Sequence, residues 1–241
     1  MIEVSNLSKR FGSCRAISDV TASFPSASVT ALLGLNGAGK TTLLRLIAGL
    51  DHPDGGTVTV CGRTPRDEPE PSRLISAHLG PEAMNPRHTV SRHLAWLAAL
   101  AGISSKRVET VLTEAGLSEH RDERIAKLSL GFRQRLAIAA ALLADPAAIV
   151  FDEPLNGLDV PGIVWLRTLL RRLAADGRTI ILASHLLSEV VLTADRLLIL
   201  DRGRVAESGT LDELVPAGDD PRLWLEHALL ARSSVLETAR R

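Results

Sequence analysis

The residues of this 241-residue chain best suited to chemistry form one glycine-rich run, Gly34-Leu35-Asn36-Gly37-Ala38-Gly39-Lys40-Thr41. Glycines let a backbone come close to a phosphate and point several N–H groups toward it. The spacing matches G-x-x-x-x-G-K-[ST], in which the lysine reaches the β- and γ-phosphates of a nucleotide and the hydroxyl meets Mg²⁺. We therefore predict a nucleoside triphosphate site in which Lys40 also assists catalysis and Thr41 is a metal ligand. The predicted phosphate-binding residues are Gly34, Asn36, Gly37, Ala38, Gly39, Lys40, Thr41 and Thr42.

Two carboxylates, Asp152 and Glu153, directly follow an apolar segment at 147–151. Such a segment is typical of a central strand in a parallel sheet, and ligands bind at the carboxyl ends of these strands. We predict that Asp152 holds Mg²⁺ through water and that Glu153 is the general base that polarises the attacking water. An acidic turn without function is the alternative, and a phosphate motif in the same chain argues against it.

The elements that must position these residues alternate along the chain. Short β-branched or alternating segments predict strands at 2–7, 20–24, 29–33, 57–62, 73–79, 147–151 and 178–184, and a late hairpin over 197–209. Apolar residues at every third or fourth position predict helices at 89–101, 105–115, 131–144, 159–177, 186–194 and 221–240, besides one that follows the glycine run and ends at Gly49. The proline-rich segment 63–72 predicts a loop.

Alternating strands and helices predict an α/β fold with a mostly parallel sheet, here the sheet lobe of a P-loop NTPase with an antiparallel part. The helical run from about 85 to 145 interrupts the alternation and predicts an inserted helical lobe. We expect residues 1–210 to form the ATPase domain and residues 211–241 a helical extension.

Composition argues against several other classes of protein. The 28 basic and 28 acidic residues balance to a net charge of zero, which gives no electrostatic reason to expect nucleic acid as a partner. Two cysteines do not make a disulfide framework. The start of the chain has no apolar signal core, and the longest apolar run, at 136–144, is too short to span a bilayer. We expect a cytoplasmic protein whose membrane role, if any, comes through a partner.

Three further segments carry a family resemblance. Leu128-Ser129-Leu130-Gly131-Phe132-Arg133-Gln134-Arg135 resembles the signature of ABC ATPases, which usually reads LSGGQ followed by xQR. Asn156-Gly157-Leu158-Asp159 resembles the D-loop, and Ser184-His185 resembles the switch histidine. With the two motifs above, they stand in family order over about residues 1–210. The chain thus resembles the ATP-binding subunits of ABC transporters.

The resemblance implies specific roles. Phe11 would stack on the adenine of ATP, the alternative being an ordinary core phenylalanine. His185 would contact the γ-phosphate and the attacking water. Ser129 and Gly131 would bind the γ-phosphate of ATP held by a second ATP-binding subunit in a head-to-tail dimer, expected to be a homodimer. Dimer closure would drive a separate transmembrane permease subunit, with this chain peripheral at the inner face of the cell membrane.

Departures from the family pattern refine these expectations. Leu130 replaces the first signature glycine and Phe132 replaces its glutamine, which resembles the drug and antibiotic exporter branch. Gly80 stands where the family usually has the Q-loop glutamine that reaches Mg²⁺. Glu82 could substitute as a carboxylate ligand, or it could be a solvated loop residue while water fills the place.

Two other functions remain open at the level of sequence. One is an ABC ATPase that works without a permease, and the other is a nucleotide sensor without catalysis. The chain is too short for the long coiled-coil insert of the chromosome and repair branch, and retained Glu153 and His185 argue against a sensor.

Overall fold

Nine strands and nine α-helices lie within the part of the chain that the computed structural model describes, residues 1–81 and 84–232. The strands are β1 Ile2–Phe11, β2 Cys14–Phe24, β3 Ser28–Leu33, β4 Gly55–Val60, β5 Ile75–His78, β6 Ala148–Asp152, β7 Thr179–Ala183, β8 Arg196–Asp201 and β9 Arg204–Thr210. The helices are α1 Lys40–Ile47, α2 Pro71–Leu74, α3 Val90–Leu100, α4 Ser105–Glu114, α5 Leu130–Leu142, α6 Val160–Ala175, α7 Leu187–Thr193, α8 Leu211–Leu214 and α9 Pro221–Leu230.

The larger sheet has six strands in the order β5-β6-β7-β3-β8-β9. Its first five strands run parallel, and β9 pairs antiparallel with β8. Every residue of β3 and β7 is buried, as expected for strands covered on both faces. The carboxyl ends of β3, β6 and β7 therefore meet at one edge of the sheet. The glycine run, the Asp152–Glu153 pair and His185 lie at this edge. The predicted α/β class with a mixed sheet is confirmed.

A second sheet, in the order β2-β1-β4, is entirely antiparallel. Helix α1 lies between the two sheets, and its Leu43, Leu44 and Ile47 are fully buried. These side chains share one core with Val4 of β1 and Val150 of β6. Burying each such side chain contributes roughly 1.5–3 kcal/mol. The helix that carries Lys40 and Thr41 is thereby fixed against both sheets.

Helices α3, α4 and α5 follow β5 in the chain and precede β6. Their buried Leu94, Val111 and Leu136 belong to the same hydrophobic cluster as Phe151 of β6 and Leu166 of α6. The helical segment thus has no core separate from the sheet. Because of this shared core, the start of α5 is held close to the end of β6.

The structure corrects several predicted boundaries. Strand β1 continues to Phe11 and β2 begins at Cys14, whereas the sequence predicted strands only at 2–7 and 20–24. Half of the extra residues are exposed and the β1–β2 register contains irregularities, so no clean apolar alternation marks them. The short helix α2 opens on Pro71 inside the predicted loop and shortens the next strand to 75–78. The predicted closing helix ends at Leu230, and residues 233–241 lie outside the described residues.

No helix among the described residues is both long and apolar enough to cross a membrane.

A buried histidine, His93, lies on α3 with only 5% of its surface exposed. Its Nδ1 atom has no hydrogen-bond partner among the described residues. The rings of His88 and Trp96 lie with their centroids 6.1 and 6.3 Å from that of His93. Burial, and to a smaller extent the charge on His88, lower the pKa of His93 below its ordinary value. The folded protein therefore favours the neutral ring.

We expect acid to destabilise the fold through His93. As pH falls below the ordinary histidine pKa of about 6.5, the unfolded chain takes up this proton before the folded chain does, so the free energy of unfolding decreases. Urea denaturation between about pH 7 and pH 5 should show a shallower decrease in His93→Phe than in the wild type. His52→Gln, at an exposed position, should keep the wild-type slope. An unchanged slope in His93→Phe would contradict the assignment.

Candidate functional site

The glycine run forms the turn between β3 and α1 and is packed tightly on neighbouring backbone. A Cβ atom on Gly34 would lie 2.5 Å from the carbonyl oxygen of Leu200, and one on Gly39 would lie 2.6 Å from that of Ala16. Both glycines also have a positive φ, 151° and 106°. Only glycine fits at these two positions, so the sequence requirement is steric as well as conformational.

The amino end of α1 presents positive charge to this turn. Gly39 caps the helix without a side-chain hydrogen bond, and the first turn has no acidic residue. The free N–H groups of a helix start, together with the helix dipole, favour an anion. The ammonium of Lys40 folds back over the loop and donates to the carbonyl oxygens of Gly34 and Leu35 at 2.7 and 3.3 Å.

A cavity of about 730 Å³ opens over this turn. That volume lies within the usual range for small-molecule sites. Most of the predicted phosphate-binding residues line the cavity, together with both predicted carboxylates: Asn36, Gly37, Gly39, Lys40, Thr41, Thr42, Asp152 and Glu153. Gly34 and Ala38 lie in the same turn, and Ala38 is buried beneath it.

Asp152 and Thr41 meet across the cavity. The Thr41 hydroxyl donates to Oδ2 of Asp152 at 2.6 Å, although the two residues are 111 positions apart in the chain. Two oxygen ligands from separate elements are thus brought together beside a phosphate-binding turn. Hydroxyl and carboxylate oxygens are the ligands that hard Mg²⁺ accepts, usually together with water and substrate phosphate. The residues present therefore fit this ion.

Glu153 has an unusual backbone conformation with a φ of +49°. Such a conformation costs a non-glycine residue about 1–2 kcal/mol. Two contacts hold it: its N–H donates to the carbonyl oxygen of Ala183 at 3.0 Å, and the Gln134 amide donates to the carbonyl oxygens of Glu153 and Pro154 at 3.4 and 2.9 Å. Strain that is over-determined by its surroundings is a feature of functional sites.

His185 lies directly after β7 and contacts this carboxylate. Its Nδ1 is 2.7 Å from Oε2 of Glu153, and its backbone N–H donates to the same oxygen at 3.3 Å. The Glu153 side chain is 25% exposed and the His185 side chain 61% exposed. Hydrogen bonds therefore fix the two side chains relative to each other, while both side chains stay partly open to solvent. A group that activates water must be accessible in this way.

The predicted signature residues lie elsewhere. Ser129 caps α5, its hydroxyl accepting the N–H of Phe132 at 3.3 Å. Ser129 and Gly131 line a second cavity of about 420 Å³ together with Gly157 and Asp159. The structure does not bring Ser129 or Gly131 into the cavity that contains Lys40. Leu130 borders both cavities.

Phe11 lies at the end of β1 and is 52% exposed, with the Lys9 ammonium 5.4 Å from its ring centroid. The alternative of an ordinary core phenylalanine is therefore wrong. Phe11 pairs with Cys14 across the β1–β2 hairpin, and Cys14 lines the larger cavity. Phe11 itself is not among the residues that line that cavity.

Gly80 lines the larger cavity and has a φ of +111°. A glutamine here would have to adopt a backbone conformation that residues other than glycine rarely take. The backbone after β5 therefore follows a path that suits glycine and not the usual glutamine. Glu82, the predicted substitute ligand, lies outside the described residues.

Sequence reasoning missed several residues of the site. Gln134 lies in the segment that resembles the signature, and the resemblance implies no role for it, yet it is 2% exposed and supports Glu153. Asn156 and Arg202 also line the larger cavity, as do Cys14 and Arg15. No motif marks Arg15 or Arg202, because they reach the cavity only through the packing of β2 and the β8–β9 turn.

Leu130 and Gly157 fit against each other. A Cβ atom on Gly157 would lie 2.5 Å from both Cγ and Cδ2 of Leu130, and Gly157 has a φ of +79°. A larger residue at position 157 must therefore displace the leucine that stands in the place of the first signature glycine.

We expect Gly157→Ala to lower the free energy of unfolding by roughly 2–3 kcal/mol, from backbone strain and overpacking together. Gly177→Ala is the matched control, because Gly177 has a φ of +90° and nothing within 4 Å of its Cβ position. This variant should lose only the part of the free energy of unfolding that comes from backbone strain. Adding Leu130→Ala to Gly157→Ala should recover the difference. Equal losses in the two single variants, measured by urea denaturation, would show that Leu130 does not press on Gly157.

The sequence also matches known proteins. The pattern of the family described as ABC transporter matches residues 17–156. The Nod factor export ATP-binding protein I of Burkholderia lata is 35% identical over 226 residues, which cover 89% of this chain and 72% of that protein. The sulfate/thiosulfate import ATP-binding protein CysA of Nocardia farcinica is 37% identical over 219 residues, which cover 89% of this chain and 66% of that protein.

Solved structures agree with the sequence matches. An ATP-binding subunit of an ABC transporter superposes with a TM-score of 0.85 at 30% identity, covering 94% of this chain and 98% of that one. A dimeric bacterial ABC transporter cassette superposes with a TM-score of 0.80 at 24% identity, covering 87% and 98%, and supports the fold alone. The family pattern spans more than half of the chain, so this protein belongs to the ABC transporter family, as an ATP-binding subunit that hydrolyses ATP.

Proposed function

We propose that this subunit uses Mg²⁺ and ATP to drive a separate transmembrane permease, and that the substrate moves outward. The observation that carries the catalytic part is the Glu153–His185 pair, 2.7 Å apart, beside a cavity that also contains Lys40 and Thr41. The other parts of the proposal rest on how the two cavities are arranged and on the family relatives.

Two groups would neutralise the phosphate charge: the phosphate-binding turn with Lys40, and Mg²⁺. The backbone N–H groups of the glycine run and the start of α1 bind the phosphates, and Lys40 exchanges its contacts with Gly34 and Leu35 for the β- and γ-phosphate oxygens. Mg²⁺ would be held by Thr41, by Asp152 through water, and by the phosphates, where it would stabilise developing negative charge. Such electrostatic stabilisation is usually the largest contribution to catalysis in phosphoryl transfer.

Glu153 accepts the proton of the attacking water, and His185 orients the Glu153 carboxylate and contacts the γ-phosphate. The hydrogen bonds from His185 use one carboxylate oxygen, Oε2, which leaves Oε1 for water. The contacts of the Glu153 backbone with Ala183 and Gln134 hold this group in place from within the chain. A catalytic group that is pre-oriented in this way needs little rearrangement when ATP arrives.

The separate signature cavity supports a head-to-tail dimer with a second copy of this chain. Ser129 and Gly131 lie at the start of α5, where free N–H groups favour an anion, and they are outside the cavity of their own Lys40. They would bind the γ-phosphate of ATP held by the partner subunit. Two nucleotides would then complete the interface, so ATP binding closes the dimer and hydrolysis opens it.

Export is favoured by Leu130 and Phe132, whose positions in the signature resemble the drug and antibiotic exporter branch. The relatives named above include both an export and an import protein, so the direction of transport is part of the proposal. We infer that the chain sits at the inner face of the cell membrane, attached through the permease, with a small amphipathic molecule as the transported substrate.

We expect Glu153→Gln to keep ATP binding and to reduce turnover by on the order of 10²–10⁴, because the amide cannot accept the proton. The variant should accumulate as an ATP-bound dimer, seen as an earlier elution in size-exclusion chromatography with ATP and Mg²⁺. Glu119→Gln, an exposed carboxylate that does not line the cavity, is the matched control and should keep wild-type turnover. Near wild-type turnover in Glu153→Gln would remove Glu153 from the role of base.

We expect the isolated chain to hydrolyse ATP slowly and its permease to raise the rate several-fold. The measurement is steady-state ATPase activity in lipid, with and without the membrane protein that co-purifies with the chain in detergent. Glu153→Gln reconstituted with the same membrane protein controls for contaminating ATPases and should stay inactive. Equal rates with and without the membrane protein would favour an ABC ATPase that works without a permease, and no hydrolysis in either state would favour a nucleotide sensor.

A further inference from the structure

Three backbone segments meet beneath the larger cavity. The carbonyl oxygen of Ala16 lies where a Cβ atom on Gly39 or on Gly203 would be only 2.6 or 2.5 Å away. The N–H of Gly203 donates to the carbonyl oxygen of Ala38 at 2.9 Å, and its own carbonyl oxygen accepts the N–H of Ser18 at 2.8 Å. Strand β2, the β8–β9 turn and the phosphate-binding turn are therefore fixed to one another by backbone contacts.

An arginine stands next to this junction on each of the two outer segments. Arg15 precedes Ala16 on β2, and Arg202 precedes Gly203 in the β8–β9 turn. Both side chains are exposed and both line the cavity that contains Lys40. Their backbones are anchored against the phosphate-binding turn, so the two guanidinium groups are within reach of the cavity that they line.

Neither arginine has an internal partner. Within residues 1–81 and 84–232, no ion pair or hydrogen bond is made by the side chain of Arg15 or Arg202, whereas Arg45 and Arg167 each form a two-point ion pair with a carboxylate. Guanidinium groups match phosphate oxygens in geometry and charge. Two unpaired guanidinium groups at a phosphate site are thus available to a ligand.

The conformation of Arg202 gives an independent reason to assign it a role. Arg202 and Gly203 both have positive φ, 46° and 76°, and they are the two central residues of the β8–β9 hairpin. Turns of this kind favour asparagine, aspartate or glycine at the first position. An arginine there is less favourable for folding, so turn stability does not explain its presence.

The position of the two arginines along the cavity indicates which part of a nucleotide they would contact. Arg15 follows Cys14, which pairs with Phe11 at the proposed base end. Thr41 and Asp152 mark the metal end, where the γ-phosphate would lie. Arg15 lies on β2 next to this base end, and the β8–β9 turn that carries Arg202 is hydrogen-bonded to β2. The α-phosphate of a bound nucleotide would lie between the base end and the metal end.

We propose that Arg15 and Arg202 form a two-arginine clamp on the α-phosphate side of the bound nucleotide, so that the diphosphate product is held as firmly by the clamp as the triphosphate. This inference rests on the proposed nucleotide site. Because the α-phosphate is common to ATP and ADP, loss of the clamp should weaken both by the same factor.

The test is isothermal titration of the full chain with ADP and, in the Glu153→Gln background, with ATP. Arg15→Gln and Arg202→Gln should each weaken both nucleotides by on the order of tenfold, as expected when a charged hydrogen bond is lost. The matched controls are Arg10→Gln, opposite Arg15 in the β1–β2 ladder, and Arg204→Gln, two residues after Arg202. Neither control residue lines the cavity, and both should keep wild-type affinity.

Arg202→Asn separates binding from a structural role. Asparagine suits the positive φ of this turn, so the variant should be at least as resistant to urea as the wild type and yet bind ADP about tenfold more weakly. Wild-type affinity in the Arg15→Gln/Arg202→Gln double variant would overturn the clamp. So would a loss confined to ATP, which would move the contact to the γ-phosphate. A wild-type chain that binds neither nucleotide would overturn the proposed nucleotide site together with the clamp.

Discussion

The close packing of backbone against the glycine run is the constraint on which the rest of the structure depends. The carbonyl oxygens of Leu200 and Ala16 occupy the space that side chains on Gly34 and Gly39 would need. This contact ties the phosphate-binding turn to β8 and β2, two strands from different sheets. A side chain at either glycine would force the sheets apart and move the start of α1, so the geometry that binds phosphate is also the geometry that joins the sheets.

The Glu153–His185 pair, proposed to be catalytic, depends on a second set of long-range contacts. Glu153 is held in a left-handed conformation by the carbonyl oxygen of Ala183 on β7 and by the Gln134 amide from α5. Gln134 lies five residues after Ser129, at the buried face of the signature helix. A shift of α5 would therefore reach the backbone that orients Glu153 and, through it, His185. In the proposed dimer, a partner subunit's nucleotide bound at the start of α5 would act on this backbone.

Leu130 is in contact with two regions of the structure at once. It borders both the cavity above the phosphate turn and the cavity at the start of α5, and it packs on Gly157 of the D-loop. In most family members a glycine stands at this position. Here the leucine side chain contacts Gly157, so the segment that resembles the signature and the segment that resembles the D-loop touch directly within one chain. This is the physical difference that accompanies the departure from the family signature.

The sequence by itself determined the α/β class, the phosphate turn, the Asp152–Glu153 pair and His185. Each depends on a local pattern: a steric need for glycine, or a polar residue placed directly after a fully apolar strand. The length of β1 and β2, the exposure of Phe11 and the left-handed φ of Gly80 were decided only by tertiary structure. The same holds for the 2.6 Å contact between Thr41 and Asp152, the support of Glu153 by Gln134, and the convergence of Arg15 and Arg202 on one cavity. The contacts among them join residues far apart in the chain. All of these features depend on distance and burial in the folded protein, which no local spacing of residues encodes.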